Sequence, residues 1–190
     1  MFYGVGFNDR KFKTKVGRKH IKEYKHWSMM LARCYSENTK ERQLRYIDCS
    51  VSDNFKSYSY FYEWCQKQTG FDSGFDLDKD LLVKGNKIYS EDLCLFLPKE
   101  VNRALCKNNK SRGKHPIGTN FNKSTGMFDC YVRKTGERIF LGSFGNKLDA
   151  FNCYKREKES YMKQLANKYQ AEIDHRAYKA LMNYQVEITD

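Results

Sequence analysis

Alternating carboxylates near the middle of the chain are the first residues whose types and spacing suggest chemistry. The segment FDLDKDLL (75–82) places Asp76, Asp78 and Asp80 at every second position, with Lys79 between the last two. Side chains at every second position of a β-strand share one face. Carboxylate oxygens suit a hard cation such as Mg²⁺. The segment therefore indicates either a metal-dependent site or a solvated strand face on which Lys79 pairs locally.

The seven cysteines argue against a disulfide framework. Their number is odd, no two are spaced as CxxC, and the N-terminal residues lack the apolar segment of a secretory signal. We therefore expect reduced thiols in a cytoplasmic protein. Buried free thiols are favoured over a structural zinc site, which would have to use Cys34, Cys49, Cys65 and Cys94. No apolar run approaches the roughly 18 residues of a membrane span, so no membrane partner is expected.

Positive charge is concentrated in blocks. The formal net charge is +12. Lys and Arg outnumber acids nine to two in residues 1–33, four to none in 107–116, and nine to five in 117–165, whereas 34–106 hold ten against twelve. Solubility alone does not require clustered charge. Clustered positive charge is typical of a surface that binds a polyanion, because neutralised phosphates supply most non-specific affinity for nucleic acid. The pattern favours double-stranded DNA over an anionic membrane, since no strongly amphipathic basic helix stands out.

Periodicity predicts an α+β protein. Apolar residues at helical spacing predict helices over 22–38 and 55–68, whose aromatic stripes are more typical of a core than of base stacking. Alternation predicts strands over 75–82 and 87–98, and Pro98 opens a helix. Three short strands (117–122, 127–134, 137–144) and a helix (146–169) follow. The expected organisation is a basic arm (1–25), a ββα module with preceding helices (26–106), a basic linker (107–116), a sheet-and-helix domain (117–169) and a C-terminal helix (170–190).

The C-terminal module has a free face. A three-stranded antiparallel sheet backed by one helix buries one side, and the other side can lie in a DNA major groove. The segments GTNFNK, GMFDCYVR, RIFLGSF and LDAFNCY resemble, in order and spacing, the plant ethylene-response-factor (AP-two) domain over Gly118 to Ala166. Strand one carries Asn where the plant proteins carry Arg, so the plant target sequence is not transferred.

The AP-two resemblance implies a set of DNA contacts on the sheet. Arg binds guanine bidentately, Asn binds adenine, and both hold phosphate. Phosphate contacts are also expected from the basic linker. The implied sheet contacts are Asn120, Asn122, Lys123, Tyr131, Arg133, Arg138 and Phe140, and those in the linker are Lys110, Arg112 and Lys114. Val132, Ile139, Leu141 and Phe144 are expected in the core instead.

The central segment resembles the ββα-metal core of HNH homing endonucleases. Asp78-Lys79 stands where that family has Asp-His, Asp92-Leu93 stands where it has Asn-Leu, and Asn102 falls in the helix. The whole chain is similar to phage-encoded homing endonucleases with a C-terminal AP-two domain, through WSMMLARCY and LDKDLLVKGNKIYS. The resemblance implies Asp78 and Asn102 as ligands of Mg²⁺ or another divalent cation.

The residue that normally acts as the general base in this chemistry is replaced in this chain. Activation of water normally falls to the His beside the Asp, and this chain has Lys79. Lys79 could act only with a lowered pKa, which Asp78 and Asp80 oppose. Asp80 itself or a histidine from elsewhere (His20, His26 or His115) could replace it, with Asp78, Lys79, Asp80 and Asn102 as the predicted catalytic set.

The resemblances together imply a homing-type endonuclease or nickase that recognises and cuts DNA as a monomer or homodimer, in the bacterial cytoplasm if phage-encoded. The alternative within the same family is a catalytically inactive DNA-binding regulator or anti-competitor protein. A reading from a different class is an inhibitor that uses its basic surface on an acidic protein partner.

Overall fold

The computed structural model describes residues 1–106 and 115–190, which divide into two compact units, Met1–Leu97 and Pro98–Asp190. Both units mix helices with small sheets, so the α+β class predicted from the sequence is confirmed. The predicted three-stranded antiparallel sheet is present in the second unit.

The first unit is mainly helical, with three small two-stranded pairings. Strands β1 and β2 pair antiparallel, β3 and β5 pair parallel, and β4 and β6 pair antiparallel. A short 3-10 helix spans Leu44–Tyr46. The elements are β1 (Lys15–Val16), β2 (Lys19–His20), α1 (Lys22–Tyr35), α2 (Glu37–Arg42), β3 (Ser50–Val51), α3 (Asp53–Lys56), α4 (Tyr58–Gln66), β4 (Asp76–Asp78), β5 (Ile88–Tyr89) and β6 (Leu95–Leu97).

An aromatic core holds this unit together. The apolar stripes of α1 and α4 meet, and Trp27, Tyr58 and Phe61 have no exposed surface. The indole of Trp27 donates a hydrogen bond to the carbonyl of Phe55 (2.9 Å), which satisfies its one polar group. The prediction that these aromatic residues form a core rather than a base-stacking surface is confirmed. Of the cysteines considered for zinc, all four are buried free thiols, as the favoured alternative expected.

The N-terminal residues are folded onto that core. Phe2 packs edge-on against Trp27, with ring centroids 5.2 Å apart, and Phe12 stacks on Tyr62 at 4.1 Å. Helix α1 already begins at Lys22. Residues 1–25 are therefore part of the first unit rather than the separate basic arm expected from their charge.

The second unit is a sheet backed by a long helix. Strand β8 lies between β7 and β9, and both pairings are antiparallel. Asn146 caps the long helix by accepting hydrogen bonds from the amides of Leu148 and Asp149. The elements are α5 (Lys99–Leu105), β7 (Thr119–Asn122), β8 (Met127–Lys134), β9 (Glu137–Phe144), α6 (Lys147–Lys168) and α7 (His175–Met182).

Helix α6 covers one face of the sheet. Cys130 and Val132 of β8 are buried against Phe151 and Tyr154 of α6. Gly118 lies under the Tyr154 ring with φ of +79°, and a Cβ at this glycine would come within 2.1 Å of the ring. Strand β7 thus begins where only a glycine fits both the backbone and the contact.

Helix α5 belongs to this second unit and is held by α6. Its Glu100 accepts hydrogen bonds from Tyr161 (3.2 Å) and Tyr169 (2.8 Å) and pairs with Lys168. The buried ammonium of Lys158 donates to the Ala104 carbonyl at the end of α5, and burial lowers the pKa of Lys158 to about 8. The helix expected to complete a ββα module therefore packs with the sheet-and-helix domain.

Candidate nucleic-acid interface

The pairing register defines an outer face of the sheet, which we take as the side opposite α6. Residues directly opposite each other in antiparallel strands share a face. Cys130 and Val132 point to α6, so Tyr131 and Arg133 point outward. The register pairs them with residues that share this outer face, Tyr131 with Phe140 and Arg133 with Arg138. On the other edge, Asn120 lies opposite Asp129.

A β-bulge makes this arrangement possible. Cys130 pairs with Gly142 and Tyr131 with Phe140, which leaves Leu141 as the extra residue of β9. The extra residue shifts the alternation by one position. Phe140 consequently faces outward and is 55% exposed, while Leu141 and Phe144 pack against the core. Ile139, expected in the core, lies opposite buried Val132 yet is 39% exposed.

The β8–β9 end of the outer face combines two guanidinium groups with two aromatic rings. Arg138 lies over the Tyr131 ring, with its Cζ 3.7 Å from the centroid, and Tyr131 contacts Phe140 at 5.3 Å between centroids. Arg133 stands directly across from Arg138. Like charges in opposed positions are destabilising. Within residues 1–106 and 115–190, neither guanidinium forms an ion pair with a carboxylate.

The first strand contributes less than expected. Asn122 donates to the Asp129 carboxylate (3.2 Å) and accepts from the amide of Ser124 (3.1 Å). Asp129 also accepts from the Ser143 hydroxyl (2.5 Å) and is buried. Asn122 therefore braces the sheet edge, which leaves exposed Asn120 as the strand-one candidate for a base contact.

The remaining basic candidates divide between turn and linker. Lys123 is exposed in the turn that joins β7 to β8. The predicted linker contacts Lys110, Arg112 and Lys114 lie outside the described residues.

Asp78, the carboxylate predicted as a metal ligand, is buried and hydrogen-bonded to the backbone. Asp78 is 7% exposed at the end of β4. Its Oδ1 accepts hydrogen bonds from the amides of Asp80 (3.0 Å) and Leu81 (2.8 Å), which shape the turn after the strand. Burial raises the pKa of Asp78 to about 6, because a carboxylate is poorly solvated there.

Lys79 is enclosed beside it. The side chain is 4% exposed, and its Nζ donates to the Asn86 carbonyl and to Asp80 Oδ1, each at 2.6 Å. Asn86 in turn donates to the carbonyls of Lys79 (2.8 Å) and Ile88 (2.7 Å). Asn86 therefore braces the segment between β4 and β5 through backbone carbonyls. Of the predicted catalytic residues in the first unit, only Asp80 presents an exposed side chain.

The described side chains do not offer a ligand set that suits Mg²⁺. In the part of the chain that the structure describes, no three His, Cys, Asp or Glu side chains gather where they could hold a metal ion. Asp78 Oδ1 is already engaged with two amides. Asn102, the second predicted ligand, lies on α5 in the second unit.

Replacing Asp78 with asparagine should stabilise the first unit at neutral pH. Asparagine keeps the acceptor for both amides and removes a buried charge. Below about pH 3 the carboxyl is protonated in the folded and unfolded states. As pH rises toward 6, the unfolded chain releases the proton first, so the wild-type protein loses stability that Asp78→Asn retains.

The free energy of unfolding from urea titrations checks this prediction. The difference between Asp78→Asn and wild type should widen by about 2–3 kcal/mol between pH 3 and pH 6.5 and then stay nearly constant. A difference that is flat over this range would contradict the burial of a charged carboxylate.

The chain matches no protein-family model, no curated protein and no solved structure. The AP-two and HNH resemblances therefore remain predictions, and the geometry of the outer face carries the functional argument. Among the described helices, none is both long and apolar enough to cross a lipid bilayer.

Proposed function

We propose that this protein binds duplex DNA by placing the outer face of the β7–β8–β9 sheet in the major groove. The observation that carries the proposal is the arrangement of Arg133 opposite Arg138, both exposed and without a carboxylate partner among the described residues. A polyanion would relieve this repulsion. Of the seven sheet contacts expected from the sequence, all but Lys123 lie on the strands of this one face.

The chemistry of the face suits base reading as well as phosphate binding. A major groove admits a β-structure, and an arginine there can bind the O6 and N7 of guanine. Asn120 can bind adenine, and exposed Phe140 can contact a thymine methyl group. The stacking of Arg138 on Tyr131 restricts its rotamers before binding, which reduces the entropy lost on contact.

Selection from a pool of randomised duplexes tests the proposal. The full chain, with chelator present, should enrich a shared short sequence, and a duplex carrying it should bind more tightly than a scrambled duplex of equal length. Affinity should fall as salt rises, since phosphates are neutralised. Equal affinity for every duplex would reject base reading by the sheet. Negligible affinity at physiological salt would favour the inhibitor alternative, provided an acidic protein co-purified.

A second candidate is the homing-type endonuclease or nickase predicted from the sequence. The observation favouring it is the antiparallel pair β4–β6 followed along the chain by α5, together with the exposed carboxylate of Asp80 beside buried Asp78. The described residues supply no metal ligand set from which a step could be derived. The DNA-binding proposal does not depend on this activity.

Incubation of the protein with supercoiled plasmid distinguishes an endonuclease from a protein that only binds DNA. Nicked or linear product that forms with Mg²⁺ and disappears with chelator would establish the nuclease. Asp78→Ala and Asn102→Ala should then abolish the product, whereas Asp72→Ala, which changes an exposed carboxylate, should not. Site-specific binding without product across several divalent cations would assign the regulator role.

A further inference from the structure

A cleft on the first unit contains none of the four predicted catalytic residues, although His26, one of the histidines considered as a base, lines it. It lies between α1 and β4 and has a volume of about 200 Å³. Its apolar lining comes from exposed Met29 and buried Leu77. The polar groups around it are Lys22, Lys25, His26, Arg33 and Asp76.

The cleft carries an excess of positive charge. Three cations face the single carboxylate of Asp76. Lys25 is exposed and forms no ion pair within the described residues. Lys22 contacts Asp72 at 2.6 Å, but the Asp72 side chain is 93% exposed, so water screens that pair and it contributes little.

Arg33 and His26 form the inner part of the cleft. The Arg33 guanidinium lies 5.5 Å from the Tyr46 ring centroid, a contact that restricts its position. The His26 ring packs against Phe96 at 5.2 Å and Phe71 at 6.2 Å. Burial lowers the pKa of His26, so at neutral pH the imidazole is uncharged and can donate one hydrogen bond.

We propose that this cleft binds a phosphate group, presented by a nucleic-acid strand or by a free mononucleotide. Its donors, Lys22, Lys25, His26 and Arg33, project from successive turns of α1, and a tetrahedral oxyanion offers acceptor oxygens in several directions. Three cations against one carboxylate leave a net charge that matches a phosphate. The apolar side chains of Met29 and Leu77 can contact the attached sugar or base. Every residue of the cleft belongs to the first unit, so the proposal stands independently of the outer face of the sheet.

Titration of the full chain with inorganic phosphate, at constant ionic strength kept with chloride, tests the site. Backbone amide signals of residues 22–33 should shift and saturate. Lys25→Glu should weaken the apparent affinity about tenfold, since it replaces an attractive charge by a repulsive one. Lys67→Glu makes the same change at an exposed position outside the cleft and should stay within about twofold of wild type.

Two further arms identify the source of the phosphate. Adenosine 5′-monophosphate, but not adenosine, should shift the same signals if a mononucleotide binds. If a DNA strand binds, Lys25→Glu should reduce the slope of log affinity against log salt for a duplex by about one relative to Lys67→Glu. Amide shifts that grow without saturation would overturn the proposal. Equal affinities of Lys25→Glu and Lys67→Glu for inorganic phosphate, adenosine 5′-monophosphate and the duplex would also overturn it.

Discussion

Arg133→Ala and Arg138→Ala should each weaken specific DNA binding by about 1–3 kcal/mol. Each guanidinium can engage a guanine edge or hold phosphates beside it. Both lie on the outer face near the β8–β9 turn and are opposite each other in the register of β8 and β9. The double variant should therefore lose most of the preference for the selected sequence over a scrambled one. Fluorescence anisotropy with both duplexes measures this ratio.

The stability of the same variants separates a binding role from a structural one. Arg133→Ala removes a like-charge contact and should leave the free energy of unfolding unchanged or raise it by a few tenths of a kcal/mol. Arg138→Ala also removes the contact with the Tyr131 ring at 3.7 Å, so the two effects should nearly cancel.

A matched control removes an exposed arginine of the same unit from the other side of the sheet. Arg156 lies on α6, and Arg156→Ala should change affinity for both duplexes by similar, small factors. If Arg133→Ala and Arg138→Ala behave like Arg156→Ala, the outer face does not read bases.

Gly118→Ala should destabilise the second unit by about 3 kcal/mol or more. The new methyl group would lie 2.1–2.2 Å from carbon atoms of the buried Tyr154 ring, and the backbone has φ of +79°. Either the ring or the start of β7 must move. The Gly118 carbonyl also accepts a hydrogen bond from the Tyr131 amide (2.8 Å), so movement would disturb the strand that carries the outer face.

Gly126 provides the control for backbone strain. It has φ of +69°, but a Cβ there meets no atom within 4 Å. Gly126→Ala should therefore lose only about 1 kcal/mol, the conformational part of the effect. Chemical denaturation of both variants isolates the contact with Tyr154 as the difference. Equal losses would mean that the ring yields freely and that the close packing contributes nothing.

Regular patterns made the second unit predictable from the sequence. The strands expected over 127–134 and 137–144 and the helix expected over 146–169 agree with β8, β9 and α6 to within a residue, because alternation and helical spacing persist over whole elements. The first residues had no such pattern. Phe2 and Phe12 pack against aromatic residues distant in the chain, and local sequence carries no signal for that contact.

The outer-face residues of the sheet were predictable only where the two-residue alternation of a strand decides which side chains share a face. Strand alternation places Tyr131 and Arg133 on one face. The bulge at Leu141 places Phe140 on the same face. A single extra residue in a strand does not change the amino-acid pattern, so the sequence did not predict the bulge. The roles of Asn86 and Asp129 were missed for another reason. Asn86 braces through backbone carbonyls, which are common to every residue type and so invisible in side-chain patterns.

The attachment of α5 to α6 decides where the chain can be divided for separate study. A fragment beginning after residue 106 would leave Lys158 as a buried ammonium with no carbonyl to receive it, and Tyr161 and Tyr169 without the carboxylate of Glu100. The boundary between the two units lies ahead of Pro98, so a fragment of the second unit should begin there and retain α5.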